Sequence, residues 1–377
     1  MSAYWYMKIL NKLTIRGFKS IQNLEDFELG QLNIIVGANG AGKSNLISFF
    51  KMMKLFMAGN LRSYVNEQGG AGDLMFNGIK ETDKIDVRMF FKSMPYSLTF
   101  VRTLKDELIV EREEAGEPMW IYTPPSDAMY ANQHSLMTDM AAIAKEKDGF
   151  DPGIANYVHD CIEDWKIYHF HDTSSRAKMR GYEIVQDDDY LREDAANIAP
   201  FLLKLKQKHQ HSYVSILKAV QTVLPYISDF NLTPREMGPA VKVALAWFQK
   251  GTDYPMQPYH LSDGAIRFIC LATALLQPSP PSMIIIDEPE LGLHPEAIAL
   301  LAELIISAAK RTQVIIATQS PLLLNYFSIQ DIVVTKRIAG SSVFERLNES
   351  DYTHWLENFN LGELWTKNVI EGGIFHE

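Results

Sequence analysis

Gly37-Ala38-Asn39-Gly40-Ala41-Gly42-Lys43-Ser44 constrains this chain more than any other stretch, because it fits the spacing G-x-x-x-x-G-K-[ST] of a phosphate-cradling loop. The apolar run Leu32-Asn33-Ile34-Ile35-Val36 before it predicts a buried strand, and Asn45-Leu46-Ile47-Ser48-Phe49-Phe50 after it opens a helix. Glycines at 37, 40 and 42 let the backbone bend tightly and turn N–H groups inward, while the helix N-terminus adds positive dipole. Lys43, expected as a solvated anion ligand, can reach β- and γ-phosphates, and the Ser44 hydroxyl can ligate Mg²⁺. A glycine loop built only for a turn has no need of the Lys-Ser pair. The stretch therefore implies a nucleoside triphosphate site, with Asn39, Gly40, Ala41, Gly42, Lys43, Ser44 and Asn45 around the phosphates.

At 377 residues the chain has room for two or three domains, and 47% hydrophobic with 11% aromatic residues predicts a sizeable core. A formal charge of −10 argues against a chain that coats nucleic acid non-specifically, so nucleic-acid binding has to come from a local patch. Cys161 and Cys270 are the only cysteines, which excludes a disulfide framework and gives no zinc signature. No run approaches the ~18 apolar residues of a membrane span, and Met1 to Leu13 lacks a signal-like apolar core, so a cytoplasmic protein with no membrane partner is expected.

The loop helix is predicted to run to about Met57, since Phe50, Met53, Phe56 and Met57 recur at helical spacing. Ahead of it, Trp5 to Phe18 and Leu24 to Leu29 read as strands, with Ile15 to Ser20 as a turn. Between Ile85 and Tyr122 the period falls to two, as in an antiparallel meander. Residues 123–228 read as mostly helical, clearest over Met129 to Lys147 and Ala199 to Val223, with one strand at Trp165 to Phe170. Val241 to Phe248 and Pro255 to Tyr259 are expected to pair across Lys250-Gly251-Thr252-Asp253. Met283 to Ile286 and Val314 to Ala317 have the continuous apolar character of parallel strands covered on both faces, and Pro295 to Ala309 is a helix with proline in its first turn. Ile332 to Arg337 and Ser342 to Leu347 flank Ala339-Gly340 as a hairpin. The domain reading is an N-terminal lobe over 1–122, a helical insertion over 123–228 and a C-terminal lobe over 229–377.

Met283-Ile284-Ile285-Ile286-Asp287-Glu288 ends a buried strand in two carboxylates. Downstream of a phosphate loop, Asp287 can hold the Mg²⁺ shell and Glu288 can orient or deprotonate water. Leu261-Ser262-Asp263-Gly264-Ala265 opens a helix and resembles the LSGGQ signature of ABC-type ATPases, although Ser262 also reads as a plain N-cap with Asp263 in the first turn. Taken in order, Ile15-Arg16-Gly17-Phe18-Lys19-Ser20, Gly37 to Ser44, Ser262 to Arg267, Asp287-Glu288-Pro289-Glu290 and Thr318-Gln319-Ser320-Pro321 resemble the compact ATPases of the branch that holds RecF, the structural-maintenance-of-chromosomes proteins and the overcoming-lysogenisation-defect proteins. The resemblance covers roughly residues 5–120 and 230–370. It implies an α/β fold: a P-loop ABC-type ATPase head of mixed sheet flanked by helices, with an antiparallel β-subdomain and a helical insertion, and without coiled-coil arms or a nuclease domain.

The resemblance implies that ATP and Mg²⁺ are bound, and that Ser262, Asp263 and Gly264 of one subunit contact the nucleotide held by the other in a homodimeric ATP sandwich. It puts Arg16 and Lys19 near the nucleotide, and Glu290, Gly292 and His294 in a dimer-contacting loop, with His294 equally a helix-start residue. Gln319 stands where the family has its switch histidine; it joins Glu288 as a catalytic candidate, able to donate a hydrogen bond but not a positive charge. The glutamine of the Mg²⁺ shell is assigned to Gln68, with Gln22 or a plain surface-loop role as alternatives. Asp187-Asp188-Asp189 reads as a solvated acidic run. The expected function is an ATP-hydrolysing dimeric switch acting on a separate effector protein, in DNA repair or phage defence. The alternatives are a DNA-binding clamp using Lys204, Lys206, Lys208, His209 and His211, and a scaffold in which ATP is held without rapid turnover.

Overall fold

The computed structural model describes residues 8–92, 94–116, 120–122 and 152–370. The helix expected over 129–147 lies outside the described residues. The chain divides into two compact units, one of Met1–Trp165, Ile329–Phe359 and Glu363–Glu377, the other of Lys166–Ser328 and Asn360–Gly362.

In the first unit, six strands build a wholly antiparallel sheet in the order Ile21–Glu28, Leu10–Phe18, Lys84–Phe91, Met94–Arg102, Leu108–Ala115, Trp120–Tyr122. In Lys84–Phe91, the side chains of Ile85, Val87, Met89 and Phe91 turn inward, as the two-residue period of a strand dictates. The loop helix Lys43–Met57 packs its apolar side into this unit, Phe49 edge-on to Phe18, Phe50 to Trp165 and Phe56 to Phe100, at centroid distances of 5.8, 5.3 and 5.2 Å. Leu32–Val36, buried throughout, lies parallel to Ile332–Ile338, which turns back through Ala339 and Gly340 into Ser341–Arg346. Both turn residues have positive φ, 48° and 80°, as a two-residue hairpin of this hand requires. The strand Leu10–Phe18 runs through the stretch expected to turn at Ile15, and only Lys19 and Ser20 form the turn.

The second unit is centred on Met283–Asp287, flanked by the parallel strands Lys166–Tyr168 and Gln313–Thr318, with Ile286 opposite both Tyr168 and Ile316. Ile284 and Ile285 are completely buried, which is why this run has no polar alternation. The helices Gln210–Val223, Asp263–Leu276 and Pro295–Ala309 pack against one another beside it. Within the stretch expected as a helical insertion, Lys166–Tyr168 is a strand of this parallel sheet. The single helix expected over Ala199 to Val223 is two, Ile198–Lys208 and Gln210–Val223: Gln207 to Gln210 are all exposed, so nothing apolar holds the helix through His209 (φ −134°, ψ 55°). The strand expected over Val241 to Phe248 also splits. Ala240–Val243 pairs with Arg235–Met237 and Glu183–Ile184, while Ala246–Gln249 pairs with Ile227–Asn231 and Pro255–Met256. Among the described residues no helix is long and apolar enough to cross a membrane.

Candidate nucleotide site

The first unit supplies the phosphate loop. Gly40 and Gly42 take φ of 80° and 120°, and a Cβ on Gly42 would lie 2.1 Å from the Ser342 hydroxyl, so no other residue fits there. Ser342 donates to the Ala41 carbonyl at 2.7 Å and Thr335 to the same carbonyl at 3.3 Å, tying the loop to the hairpin of its own unit. Gly42 caps the loop helix with no side-chain hydrogen bond and no acid sits in the first turn, which leaves the helix start suited to an anion. Ser44 is exposed, and Asn45 donates to Ser20 at 2.6 Å. Lys43 is not the solvated lysine expected: it is 5% exposed, and its ammonium donates to the carbonyls of Gly37 at 2.6 Å and Ala38 at 3.1 Å. Those loop carbonyls take the place of solvent around the charge.

Two residues singled out separately meet here. The Lys19 ammonium donates to Gln68 Oε1 and Ser48 Oγ, both at 2.7 Å, and Lys19 itself adopts φ 48°. Burial, followed by the charge of Lys51, lowers its pKa. Arg16 is held elsewhere, by Glu25 Oε1 at 2.5 Å and Asn23 Oδ1 at 3.2 Å, within the antiparallel sheet.

The second unit holds the paired carboxylates. Glu288 has φ 43°, uncommon for a residue with a side chain. Its N–H donates to the Ala317 carbonyl at 2.8 Å, and its Oε1 accepts from Gln319 Nε2. Glu290 lies two residues on and accepts from the Thr318 hydroxyl; burial, and to a lesser extent the Glu288 charge, push its pKa up. The two acids thus each grip one residue at the end of the neighbouring strand Gln313–Thr318.

Ser262 is exposed and caps its helix, its Oγ accepting from Ala265 N at 3.2 Å. Asp263 accepts at 2.9 Å from Arg180, whose buried guanidinium also donates to the carbonyls of Thr173, Pro258 and Leu261. An aspartate in the signature has a structural cause here: it balances a cation that stitches together the turn before the helix. Arg267, 6% exposed, donates to the carbonyls of Phe170, His171 and Leu291. His171 Nε2 donates in turn to the Asp287 carbonyl at 2.9 Å. His294 caps Pro295–Ala309, accepting from Glu296 N at 3.4 Å.

Gly264 fits the same knot. A Cβ there would lie 2.5 Å from the Gly292 carbonyl, which is backbone and cannot swing aside. Gly264→Ala should therefore cost about 1–3 kcal/mol through overpacking. That outweighs the gain of at most ~1 kcal/mol in helix propensity. A fall in the urea midpoint at unchanged slope is the expected reading.

Sequence reading missed His171 and Arg180, and gave Arg267, the last residue of the signature stretch, no role of its own. The strand at Trp165 to Phe170 was legible, but its pairing beside Asp287 was not, and that pairing gives His171 its place. Two of the five residues offered for DNA are spent internally. Lys204 lies 3.3 Å from Asp188 and 3.4 Å from Asp189, and Lys206 lies 2.8 Å from Asp229.

One unit holds a glycine loop that opens a helix, and the other holds a carboxylate-ended parallel strand and a side-chain-capped helix at the signature stretch, the parts expected of an ABC-type ATPase. The chain belongs to the family described as "AAA domain, putative AbiEii toxin, Type IV TA system", which matches residues 32–325. Its fold is that of structural-maintenance-of-chromosomes heads. It is similar to the SmcHead bound to the C-winged helix domain of ScpA at a TM-score of 0.58 and 16% identity, covering 91% of this chain and 99% of that one. It is also similar to the Smc head domain with an extended coiled coil bound to the C-terminal domain of ScpA from Pyrococcus furiosus, at a TM-score of 0.53 and 15% identity over 92% and 98% of the two chains. In sequence it is 31% identical over 80 residues to the DNA double-strand break repair Rad50 ATPase of Saccharolobus solfataricus, a match that spans 21% of this chain and 9% of that relative.

Proposed function

We propose that the protein is an ATP-hydrolysing switch whose two copies close around ATP and act on a separate effector protein in the cytoplasm, in DNA repair or in defence against phage. The observation that carries this reading is the Glu288 carboxylate, held by Gln319 at the end of a buried parallel strand in a chain that also has an uncapped phosphate-loop helix. In this reading Lys43 turns from the Gly37 and Ala38 carbonyls to the β- and γ-phosphates. Glu288 orients and deprotonates the attacking water. Gln319 fixes the Glu288 carboxylate and so acts as a positioning residue, not as the base. Ser44 and Asp287, an exposed hydroxyl and a strand-end carboxylate, are the hard oxygen donors suited to Mg²⁺, which would offset phosphate charge when bound. Lys19 and Gln68 form a preformed polar pair that can contact the nucleotide once Lys19 exchanges a partner.

The signature residues Ser262, Asp263 and Gly264 then act on ATP held by the second copy, with Gly292 and Glu290 in the loop beside them. An effector is favoured over a DNA clamp because Lys204 and Lys206 are already ion-paired. The two Smc heads similar to this chain are bound to a protein, ScpA, which supports a protein partner by analogy of fold.

Ser262→Arg tests the arrangement, with Ser262→Asn as a control that keeps the helix cap. Specific turnover of wild type should rise with protein concentration, as expected when two chains build each site. Ser262→Arg should bind a fluorescent ATP analogue normally and lose at least ~100-fold in turnover, as removal of a transition-state donor does, while Ser262→Asn keeps the concentration dependence. Full turnover by Ser262→Arg would refute the shared site.

A further inference from the structure

Ala317, Thr318 and Gln319, where the strand Gln313–Thr318 ends, are each held by the residues that follow the carboxylate strand, all within the second unit. The Ala317 carbonyl accepts from Glu288 N–H at 2.8 Å, the Thr318 hydroxyl donates to Glu290 Oε1, and the Gln319 amide donates to Glu288 Oε1. The middle contact has no part in the chemistry assigned to Glu288. Thr318 is completely buried, and its oxygen also accepts from Ser320 N–H at 2.9 Å, closing a turn around Gln319. A hydroxyl has a single proton to donate. Here it goes to Glu290, which fixes the rotation of the hydroxyl and with it the turn that carries Gln319. Glu290 Oε2 is buried as well. The carboxylate is thus turned toward its own strand end, whereas a contact with a second copy would need it at the surface.

We propose that Glu290 is a positioning residue: by gripping Thr318 it sets the turn from which Gln319 reaches the Glu288 carboxylate. The assignment rests on the ATPase reading above, and it gives this side chain an inward role in place of the dimer contact that the resemblance implies. That role is to accept a hydrogen bond, which a neutral amide oxygen also does, so the negative charge is not required. Because Glu290 acts through Gln319, its effect on turnover lasts only while Gln319 is present.

Steady-state ATP turnover by the full chain carrying Glu290→Ala, Gln319→Ala or both is the test. Each single change should lower kcat about tenfold at unchanged KM, and the pair should also lose only about tenfold, since residues that work through one contact do not add. Independent roles would multiply to about a hundredfold. Glu290→Gln, whose amide oxygen can take the Thr318 hydroxyl, should restore most of the turnover lost in Glu290→Ala. Thr318→Val keeps the shape without the hydroxyl and should behave like Glu290→Ala. Added to Glu288→Gln, Glu290→Ala should leave the ATP-dependent pairing of chains intact, read as mass by light scattering. Multiplied losses, a Glu290→Gln as impaired as Glu290→Ala, or a loss of pairing overturns the assignment and leaves the ATPase reading standing. A wild-type chain that turns over no ATP would instead overturn that reading, and the assignment with it.

Discussion

Lys43→Ala is expected to weaken ATP binding by at least roughly a hundredfold, because each charge-assisted hydrogen bond from the ammonium to phosphate is worth ~1.5–3 kcal/mol. The burial of Lys43 adds a second effect. Its ammonium also satisfies the Gly37 and Ala38 carbonyls, so the alanine variant loses those bonds and the packing of the stem as well. Lys43→Met loses the charge and the same two bonds but keeps the packing of the stem. Both variants should lose affinity in calorimetric titration, with Lys43→Met melting closer to wild type than Lys43→Ala. Wild-type affinity in Lys43→Met would remove the loop from the nucleotide site.

Glu288→Gln is expected to lower turnover by about 10²–10⁴-fold while ATP affinity holds, since a glutamine of the same shape cannot take a proton from water. Gln319→Ala should lower turnover by about tenfold, because it frees the Glu288 carboxylate without removing it. Gln319→His, which can also donate to Glu288, should keep or raise turnover. If Gln319→Ala proved more damaging than Glu288→Gln, the division between base and positioning residue would be reversed.

The features readable in the sequence were those carried by local spacing. The glycine loop, the Ile-rich strand that ends in Asp287 and Glu288, and the helix Pro295–Ala309 each combine a pattern with punctuation inside one short window. What escaped depends on which strands become neighbours. Lys166–Tyr168 pairs with Ile284–Ile286 across more than a hundred positions, and no local period reveals that pairing, so nothing in the sequence marked His171. The roles of Arg180 and Arg267 were invisible for the same reason: both bind backbone carbonyls of distant turns, and a carbonyl carries no residue-type signal. Lys43 was misjudged because lysine is usually solvated, whereas here the loop closes over it with its own carbonyls. Asp263 shows the converse, a departure from the usual signature that the buried Arg180 explains.

In the proposed switch chemistry and assembly share one site, so that the closed pair of chains exists only while the γ-phosphate does. Light scattering of Glu288→Gln with and without ATP-Mg²⁺ tests this most directly, because that variant should bind ATP and keep it. Without nucleotide the mass should be that of one 42.8 kDa chain, and with ATP-Mg²⁺ it should double. ADP should leave it single. A Glu288→Gln protein that binds ATP and keeps the same mass would contradict the account.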